Sequence, residues 1–125
     1  MTEPFRTPDP GAMNRRAHYR IEYPVLERPG FRSAVVEGAV RDCSETGVRV
    51  AVTKPMPKEF SLQPRDRLSG EVRFHDDEVQ AIEGEVVSFD GRTLILRLDL
   101  ETIPFGRIIR EQRWLRKRYP MREGR

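Results

Sequence analysis

The chain has 125 residues, enough for a single domain with one hydrophobic core; 34% of them are charged and 37% are apolar. No segment approaches the roughly 20 consecutive apolar residues of a membrane-spanning helix, so we expect no membrane span. The one cysteine, Cys43, allows no intrachain disulfide, and together with two distant histidines, His18 and His75, it forms no recognisable metal-binding pattern.

The net charge of +3 is distributed unevenly along the chain. Residues 1–20 carry two more basic than acidic side chains, and residues 105–125 carry eight basic side chains against two acidic ones. The intervening residues, 21–104, have an acidic excess. An acidic body with basic ends favours an anion held at the ends, and gives no sign of the continuous basic face that a long nucleic acid needs.

The first residues, 1–13, contain Pro4, Pro8 and Pro10 and little that could pack, so we expect a flexible tail. No basic stretch followed by an apolar stretch marks a secretion signal, and cytoplasmic residence is the default expectation.

Apolar alternation and turn residues then predict a mainly β protein. Six extended segments are expected: 19–25, 31–41, 48–52, 67–74, 79–89 and 93–100. Turns are expected at 27–30 and 42–47, and Asp76-Asp77 and Asp90-Gly91 supply hairpin turns between the last three strands. Proline-rich residues 54–64 indicate a long loop. Antiparallel strands that return over about 80 residues usually close into a small barrel or sandwich.

The spacing of apolar residues changes to a helical period near the end of the chain. One stripe of a predicted helix, 104–119, contains Phe105, Ile108, Ile109, Gln112, Leu115 and Tyr119. Pro104 suits the start of this helix and Pro120 its end. We expect the stripe to cover part of the barrel at 19–100, and residues 121–125 to form a short tail.

Two clusters of polar residues carry chemistry. Arg15, Arg16 and Arg20 lie where the tail meets the first strand, and a turn contains Asp42-x-Ser44-x-x-Gly47. Taken singly, the arginines read as a solvated basic patch. Taken by itself, the second cluster indicates only a turn, in which the Asp and Ser side chains accept hydrogen bonds from backbone amides.

Together the two clusters resemble the PilZ family. That family pairs an Arg-x-x-x-Arg motif, matched by Arg16 and Arg20, with an Asp/Asn-x-Ser-x-x-Gly motif, matched by Asp42, Ser44 and Gly47. The resemblance covers about residues 14–120. It implies a six-stranded antiparallel β-barrel with a C-terminal helix, which acts as a receptor for the bacterial second messenger cyclic di-GMP.

The chemistry of these side chains suits that ligand, which offers two anionic phosphodiesters and two guanines. Guanidinium groups bind phosphate in a bidentate fork, bind the guanine O6/N7 edge and stack on its face, so Arg16 and Arg20 would take these roles. Asp42 could accept hydrogen bonds from guanine N1–H and N2–H₂, with Ser44 near the same base. Gly47 would allow close approach or serve only the turn.

Two further positions follow from the resemblance. An arginine just before the first motif often accompanies a stacked pair of ligands in the family; Arg15 holds that place, which implies two ligands per site. Some members pack a later-strand side chain on a guanine, and the hairpin alignment places that position near Val87, which is not aromatic. Tyr19 is expected in the core and His18 on the surface.

The predicted helix also has a face outside its apolar stripe. That face contains Arg107, Arg110, Trp114, Lys117 and Arg118. It reads either as a solvated charged face, with Trp114 folded over a barrel end, or as a surface for an unidentified protein partner, since Trp and Arg are common at binding hot spots.

Three other functions are weighed against a cyclic di-GMP receptor. The first is a PilZ-like adaptor that binds no nucleotide, which the intact motifs disfavour. The second is a single-strand nucleic-acid barrel using Phe74 and Phe89, which the acidic neighbours disfavour. An enzyme is least expected, since no P-loop, nucleophile elbow or metal cluster is present; we predict no catalytic residue, no cofactor and no metal.

Overall fold

The protein is described by a computed structural model that covers residues 20–54, 57, 61–99 and 102–120. Within these residues the chain forms seven strands, a short 3-10 helix at Val25–Glu27 and one α-helix, α1, at Phe105–Arg118. The strands are β1 (Ile21–Glu22), β2 (Gly30–Ser33), β3 (Glu37–Cys43), β4 (Gly47–Lys54), β5 (Arg67–Arg73), β6 (Val79–Phe89) and β7 (Thr93–Leu98). No helix in this part of the chain is long and apolar enough to cross a bilayer.

Six of the strands close into a barrel. The order is β3-β2-β5-β6-β7-β4, and β4 pairs back with β3, so that every neighbouring pair is antiparallel. Alternate side chains fill the interior, and Val40, Val50 and Leu94 have no exposed surface. Closure leaves none of the six strands with a free edge. The predicted mainly β fold, a six-stranded antiparallel barrel with a C-terminal helix, is confirmed.

The first strand is much shorter than the predicted 19–25 and lies outside the barrel. β1 pairs with the end of β3 through Ile21↔Cys43 and Glu22↔Asp42. Ile21 and Tyr23 are buried as the alternation predicts, but Val25 is exposed because Pro24 turns the chain into the 3-10 helix. The prediction for Tyr19 lies outside the described residues.

The segment between β1 and β2 leaves the sheet and returns to it. The Tyr23 amide donates to the Arg41 carbonyl (2.9 Å), and the Val40 amide donates to the Pro29 carbonyl (2.8 Å). Arg41 and Val40, which are adjacent in β3, are thus bonded to the two residues that flank residues 24–28. We call this segment the 24–28 loop. The turn predicted at 27–30 is wrong in place, since the loop starts at Pro24 and β2 begins at Gly30.

The predicted extended segment 31–41 is two strands. A turn between β2 and β3 separates them: the Ser33 amide donates to the Val36 carbonyl (2.8 Å), and the Ser33 hydroxyl oxygen accepts from the Val36 amide (3.0 Å). The Ser33 side chain thus stabilises a turn of a kind that commonly contains glycine or proline. The barrel's six strands are therefore β2 to β7, with β1 as an additional outer strand.

The later strands match their predictions closely. Asp90 directly follows β6, and its carboxylate accepts hydrogen bonds from the amides of Arg92 (2.9 Å) and Thr93 (2.8 Å). Gly91 adopts a φ of 91°, which glycine tolerates. These backbone hydrogen bonds hold the pKa of the Asp90 carboxyl below its usual range. In the preceding hairpin Asp77 adopts a φ of 65°, which aspartate tolerates better than most residues.

Helix α1 covers one end of the barrel with Ile108 and Leu115, as the stripe predicts. The buried face of α1 also contains two ionisable residues, Arg107 and Glu111, which are 5% and 0% exposed. The sequence pattern alone would place both of them in solvent. The prediction that Arg107 belongs to a solvated face is therefore wrong. A buried charge is tolerated only when it is paired, and both residues belong to one network.

That network, the Glu111 cluster, joins α1 to the barrel and consists of Tyr23, His75, Arg107 and Glu111. The Tyr23 hydroxyl donates to Glu111 Oε1 (2.7 Å), and Glu111 Oε2 lies 2.5 Å from His75 Nδ1 and 3.1 Å from Arg107 Nη1. The Arg107 guanidinium also pairs with Asp76 (3.2 Å). Three separate parts of the chain are thus fixed to one carboxyl group.

Candidate ligand-binding groove

The turn that carries the second motif is the β3–β4 hairpin. Asp42 lies near the end of β3 and Gly47 begins β4. Between them the Ser44 amide donates to the Gly47 carbonyl (2.9 Å), and the Ser44 hydroxyl oxygen accepts from the Thr46 amide (3.2 Å). Ser44 is buried in this geometry, so its hydroxyl first serves the shape of the turn.

Gly47 lies in a closely packed position. A Cβ atom built on Gly47 would lie 3.2 Å from the Leu96 carbonyl oxygen, because β4 pairs with β7 at this point. The backbone of Gly47 has no left-handed φ, so glycine is favoured here by limited space and not by conformation. The same built atom lies 4.0 Å from Arg20 Nη2, which places the Arg20 guanidinium above the turn.

Asp42 binds two arginines. Arg20 Nη1 donates to Asp42 Oδ1 at 2.5 Å, and Arg49 Nε lies 3.5 Å from Asp42 Oδ2. The Asp42 carboxylate is almost completely buried, whereas about two fifths of each arginine side chain remains exposed. The carboxylate therefore positions two guanidinium groups at the surface, and its own oxygens become available to a ligand only if one of them moves.

The residues of the two motifs that the structure describes meet at one place: Arg20, Asp42, Ser44 and Gly47. Arg15 and Arg16, like His18, lie outside the described residues. The pairing of β1 with β3 beside the turn brings Arg20 to the site.

A groove of about 350 Å³ opens beside this turn. Its lining residues are Arg20, Thr46, Gly47, Val48, Arg49, Val87, Ile95, Leu96 and Arg97. The three arginines come from three different strands or their flanks. The side chains of Val48 and Leu96 are buried in the core, so the apolar side chains that reach the groove are Val87 and Ile95. Arginines beside apolar surface suit an anionic ligand that also has apolar faces.

Arg49 and Arg97 are the groove residues that sequence reasoning missed. Arg49 follows the motif glycine by two positions, and strand periodicity alone would have placed it on the same face as Gly47. Arg97 joins it because Gly47 pairs with Arg97 across the β4–β7 ladder, a register that no local pattern reveals. Arg97 also lies 3.8 Å from Glu85, an exposed pair of small energetic weight.

Val87 lies in the groove as well. The β6–β7 register shifts between Val86 and Ser88, and this irregularity leaves Val87 40% exposed on the groove side. The position that the resemblance assigns to a stacking side chain is thus at the ligand groove, where a small aliphatic residue covers little area.

A larger hollow on the barrel lacks this concentration of positive charge. It has a volume of about 760 Å³ and lies beside β2, β5 and β6, where Arg32 is accompanied by Glu71 and Glu83. A ligand with two phosphodiesters is better matched by the smaller groove, whose charged lining residues are all arginines.

Phe74 is not placed for base stacking, and Cys43 is not placed for nucleophilic attack, because both are buried. Phe74 is 2% exposed and lies under the Arg107 guanidinium (4.6 Å), so it offers no face to a base. Burial raises the pKa of the Cys43 thiol to about 12, which keeps it protonated at neutral pH. Among the described residues no group of His, Cys, Asp and Glu could hold a metal ion.

Comparison with known protein families agrees with this geometry. The family model of the PilZ domain matches residues 14–111, which is most of the chain. The chain belongs to the PilZ domain family. Comparisons with curated proteins and with solved structures gave no match. PilZ domains are binding and adaptor domains, and the family is generally one of cyclic di-GMP receptors.

Proposed function

We propose that this protein is a cyclic di-GMP receptor, and that the groove between the β3–β4 turn and β7 is its binding site. The observation that carries the proposal is the convergence of Arg20, Arg49 and Arg97 on one groove, beside the turn Asp42 to Gly47. Such a receptor would act in the cytoplasm of a bacterium, where this second messenger is read, and it would act by binding without catalysis.

The contacts follow from the chemistry of the ligand. Arg49 and Arg97 stand on neighbouring strands and would each bind a phosphodiester or a guanine edge. Arg20 would leave or share its bond with Asp42, so that the carboxylate could accept from guanine N1–H and N2–H₂. Arg16 and Arg15, which precede Arg20 closely in the chain, would complete the charge around the phosphates, and Arg15 would support a second, stacked ligand.

Signalling would begin at Arg20. This residue is next to β1, which is held to β3 by two residue pairs, and Tyr23 then connects β1 to helix α1 through Glu111. A ligand that re-orients Arg20 would change how β1 and the adjoining surface are presented to a partner protein.

The test is isothermal titration calorimetry of cyclic di-GMP into the purified protein, with GTP as the control ligand. Micromolar or tighter binding that is selective over GTP is the expected result. The stoichiometry tests the second ligand: we expect two per chain in the wild type and one in Arg15→Ala.

One observation favours a second candidate, a PilZ adaptor that binds no nucleotide. Asp42 is already satisfied by Arg20 and Arg49, so the turn is internally paired. An absence of heat at millimolar ligand, repeated at a second temperature to avoid an enthalpy near zero, would reject the receptor proposal and select the adaptor.

A further inference from the structure

The 24–28 loop carries the most exposed large apolar side chains among the described residues. Val25 is 69% exposed and Leu26 is 91% exposed. Tyr23 and Pro29, which flank the loop, form hydrogen bonds with adjacent residues of β3. Residues 24–28 themselves pair with no strand of the barrel. These two side chains therefore contribute little to the fold that contains them.

The loop is nevertheless fixed in place. The Glu27 amide donates to the Pro24 carbonyl (2.8 Å), which closes the 3-10 turn. Glu27 Oε2 accepts from the Tyr119 hydroxyl (2.7 Å) and from Arg118 Nη2 (3.0 Å) at the end of α1. The Glu27 side chain is largely shielded from solvent, so the loop is clamped to the helix while Val25 and Leu26 point into water.

The end of α1 to which the loop is bonded is positively charged. The last turn of α1 contains Arg116, Lys117 and Arg118, and Glu27, the carboxylate of the loop, is already paired with Arg118. Lys117 makes no ion pair with any described residue. A partner that complements this surface must therefore bring carboxylates as well as an apolar side chain.

We propose that Val25, Leu26 and the basic last turn of α1 form a docking surface for an acidic segment of another protein that carries a large apolar side chain. Burial of the apolar pair would supply the binding energy, and the cations would orient the segment and speed its association. None of these residues lines the arginine groove, so the proposal stands whether or not the groove binds cyclic di-GMP.

This surface shares Lys117 and Arg118 with the helix face predicted around Trp114, but its apolar part is Val25 and Leu26 and not Trp114. The Trp114 ring stacks on His75, with ring centroids 4.3 Å apart and planes 14° apart, and Arg118 lies over the same ring at 5.1 Å. Trp114 also packs against the core and is only partly exposed. The ring surface of Trp114 is largely covered by contacts within the chain, whereas the aliphatic surface of Leu26 is not.

The experiment selects random short peptides, displayed on phage, for binding to the wild-type protein, and counter-selects them against Leu26→Asp. The substituted side chain is almost fully exposed, so we expect the variant to keep the wild-type melting temperature. The expected outcome is a set of peptides that requires Leu26, is enriched in Asp and Glu, and contains a large apolar residue. Their affinity should fall at least about tenfold in Leu26→Asp and several-fold in Lys117→Glu.

Matched controls separate this surface from general stickiness and charge. Val79→Asp changes another exposed apolar residue and Arg73→Glu another exposed cation; neither should weaken the selected peptides. The proposal is overturned if no peptide depends on Leu26, or if the dependent peptides lack acidic enrichment. Leu26-dependent binding of phosphatidylglycerol vesicles or of a single-stranded oligonucleotide, without such peptides, would assign the surface to a membrane or to nucleic acid instead.

Discussion

Arg20 shares one buried carboxylate with Arg49, and this arrangement decides what a substitution at Arg20 should do. The Arg20–Asp42 pair is partly exposed, so its contribution to stability is about 1 kcal/mol or less, and Arg49 still neutralises Asp42 when Arg20 is removed. A charged hydrogen bond to a ligand contributes more, about 1.5–3 kcal/mol. Binding and stability should therefore respond differently to the same substitution.

We expect Arg20→Ala to reduce the affinity for cyclic di-GMP by about 10- to 100-fold while changing the free energy of unfolding by less than about 1 kcal/mol. Calorimetric titration and urea unfolding measure the two quantities. Arg32→Ala, an exposed arginine outside the groove, is the control and should bind as the wild type does. Wild-type affinity in Arg20→Ala would remove this residue from the site.

Cys43 gives stability a dependence on alkaline pH. Burial raises the pKa of its thiol from 9.0 to about 12, and burial also raises the pKa of Tyr23 above its ordinary value of 10.0. Each group holds its proton more tightly in the folded state, so its contribution is complete below the unfolded pKa and is lost as the pH rises towards the folded pKa.

The free energy of unfolding, measured with urea, should therefore be constant to about pH 9 and fall above it, by up to about 1.4 kcal/mol per pH unit for each group. In Cys43→Ala the free energy of unfolding should begin to decrease only near pH 10, where Tyr23 loses its proton in the unfolded chain. Stability that stays level between pH 9 and pH 11 in the wild type would contradict this account.

At the scale of elements, helix α1 depends on the Glu111 cluster as well as on its apolar stripe. Glu111 is fully buried and is contacted by Tyr23, His75 and Arg107, which belong to three different parts of the chain. Removing the carboxyl takes the hydrogen-bond partner from both Tyr23 and His75 and leaves a cavity, although Arg107 keeps its pairs with Asp76 and Glu78. Removing the Tyr23 hydroxyl takes only one of the hydrogen bonds from Glu111.

Glu111→Ala should lower the free energy of unfolding by about 2–4 kcal/mol, through the cavity and the unpaired polar groups it leaves, and Tyr23→Phe by about 1 kcal/mol. Arg113→Ala, on the exposed face of the same helix, should change it by less than about 0.5 kcal/mol. Urea unfolding of the three variants makes the comparison. If Glu111→Ala were as mild as Tyr23→Phe, the cluster would not be what holds the helix to the barrel.

The sequence predicted those elements whose signals are local. The β5–β6 and β6–β7 hairpins were found because Asp76-Asp77 and Asp90-Gly91 lie at the turns themselves. The division between β2 and β3 was missed because a Ser33 side chain makes the turn without glycine or proline. Glu111 was missed because a buried carboxyl looks like a solvent-facing residue until its partners, which are distant in sequence, are known.

The candidate site shows the same limit. Asp42, Ser44 and Gly47 stand close together in the chain, and their spacing was sufficient to predict one turn. Arg49 and Arg97 could not be added, since they meet only through the pairing of β4 with β7. Long-range register depends on the whole set of buried side chains rather than on any short segment.

At the scale of the whole molecule, the most weakly held described strand is the one that adjoins the groove. β1 has two residue pairs with β3 and lies outside the closed barrel, so local opening of β1 should require little free energy. A ligand that binds Arg20 and the β3–β4 turn together would oppose that opening.

We therefore expect saturating cyclic di-GMP to slow amide hydrogen exchange at Ile21–Glu22 and Tyr23 by about tenfold or more. The β2–β3 turn, residues 33–36, lies at the end of β3 opposite the β3–β4 turn, exchanges through its own local opening and should be unaffected. Arg20→Ala with the same ligand concentration is the control and should show no slowing at β1. Equal slowing at both places would indicate general stabilisation without a specific effect on β1.

The position of the groove on the barrel also bears on how the protein unfolds. β2, β3 and β4 form one continuous meander and β5, β6 and β7 another, and the two meet only along the β2–β5 and β4–β7 ladders. The groove spans the second of these seams, with Arg49 on one side and Arg97 on the other. Each meander can form from contacts near in sequence, whereas the seams must close long loops and form later. A molecule bound across the seam would then stabilise contacts that are absent from the folding transition state. It would therefore slow the unfolding of the barrel while leaving its folding rate nearly unchanged.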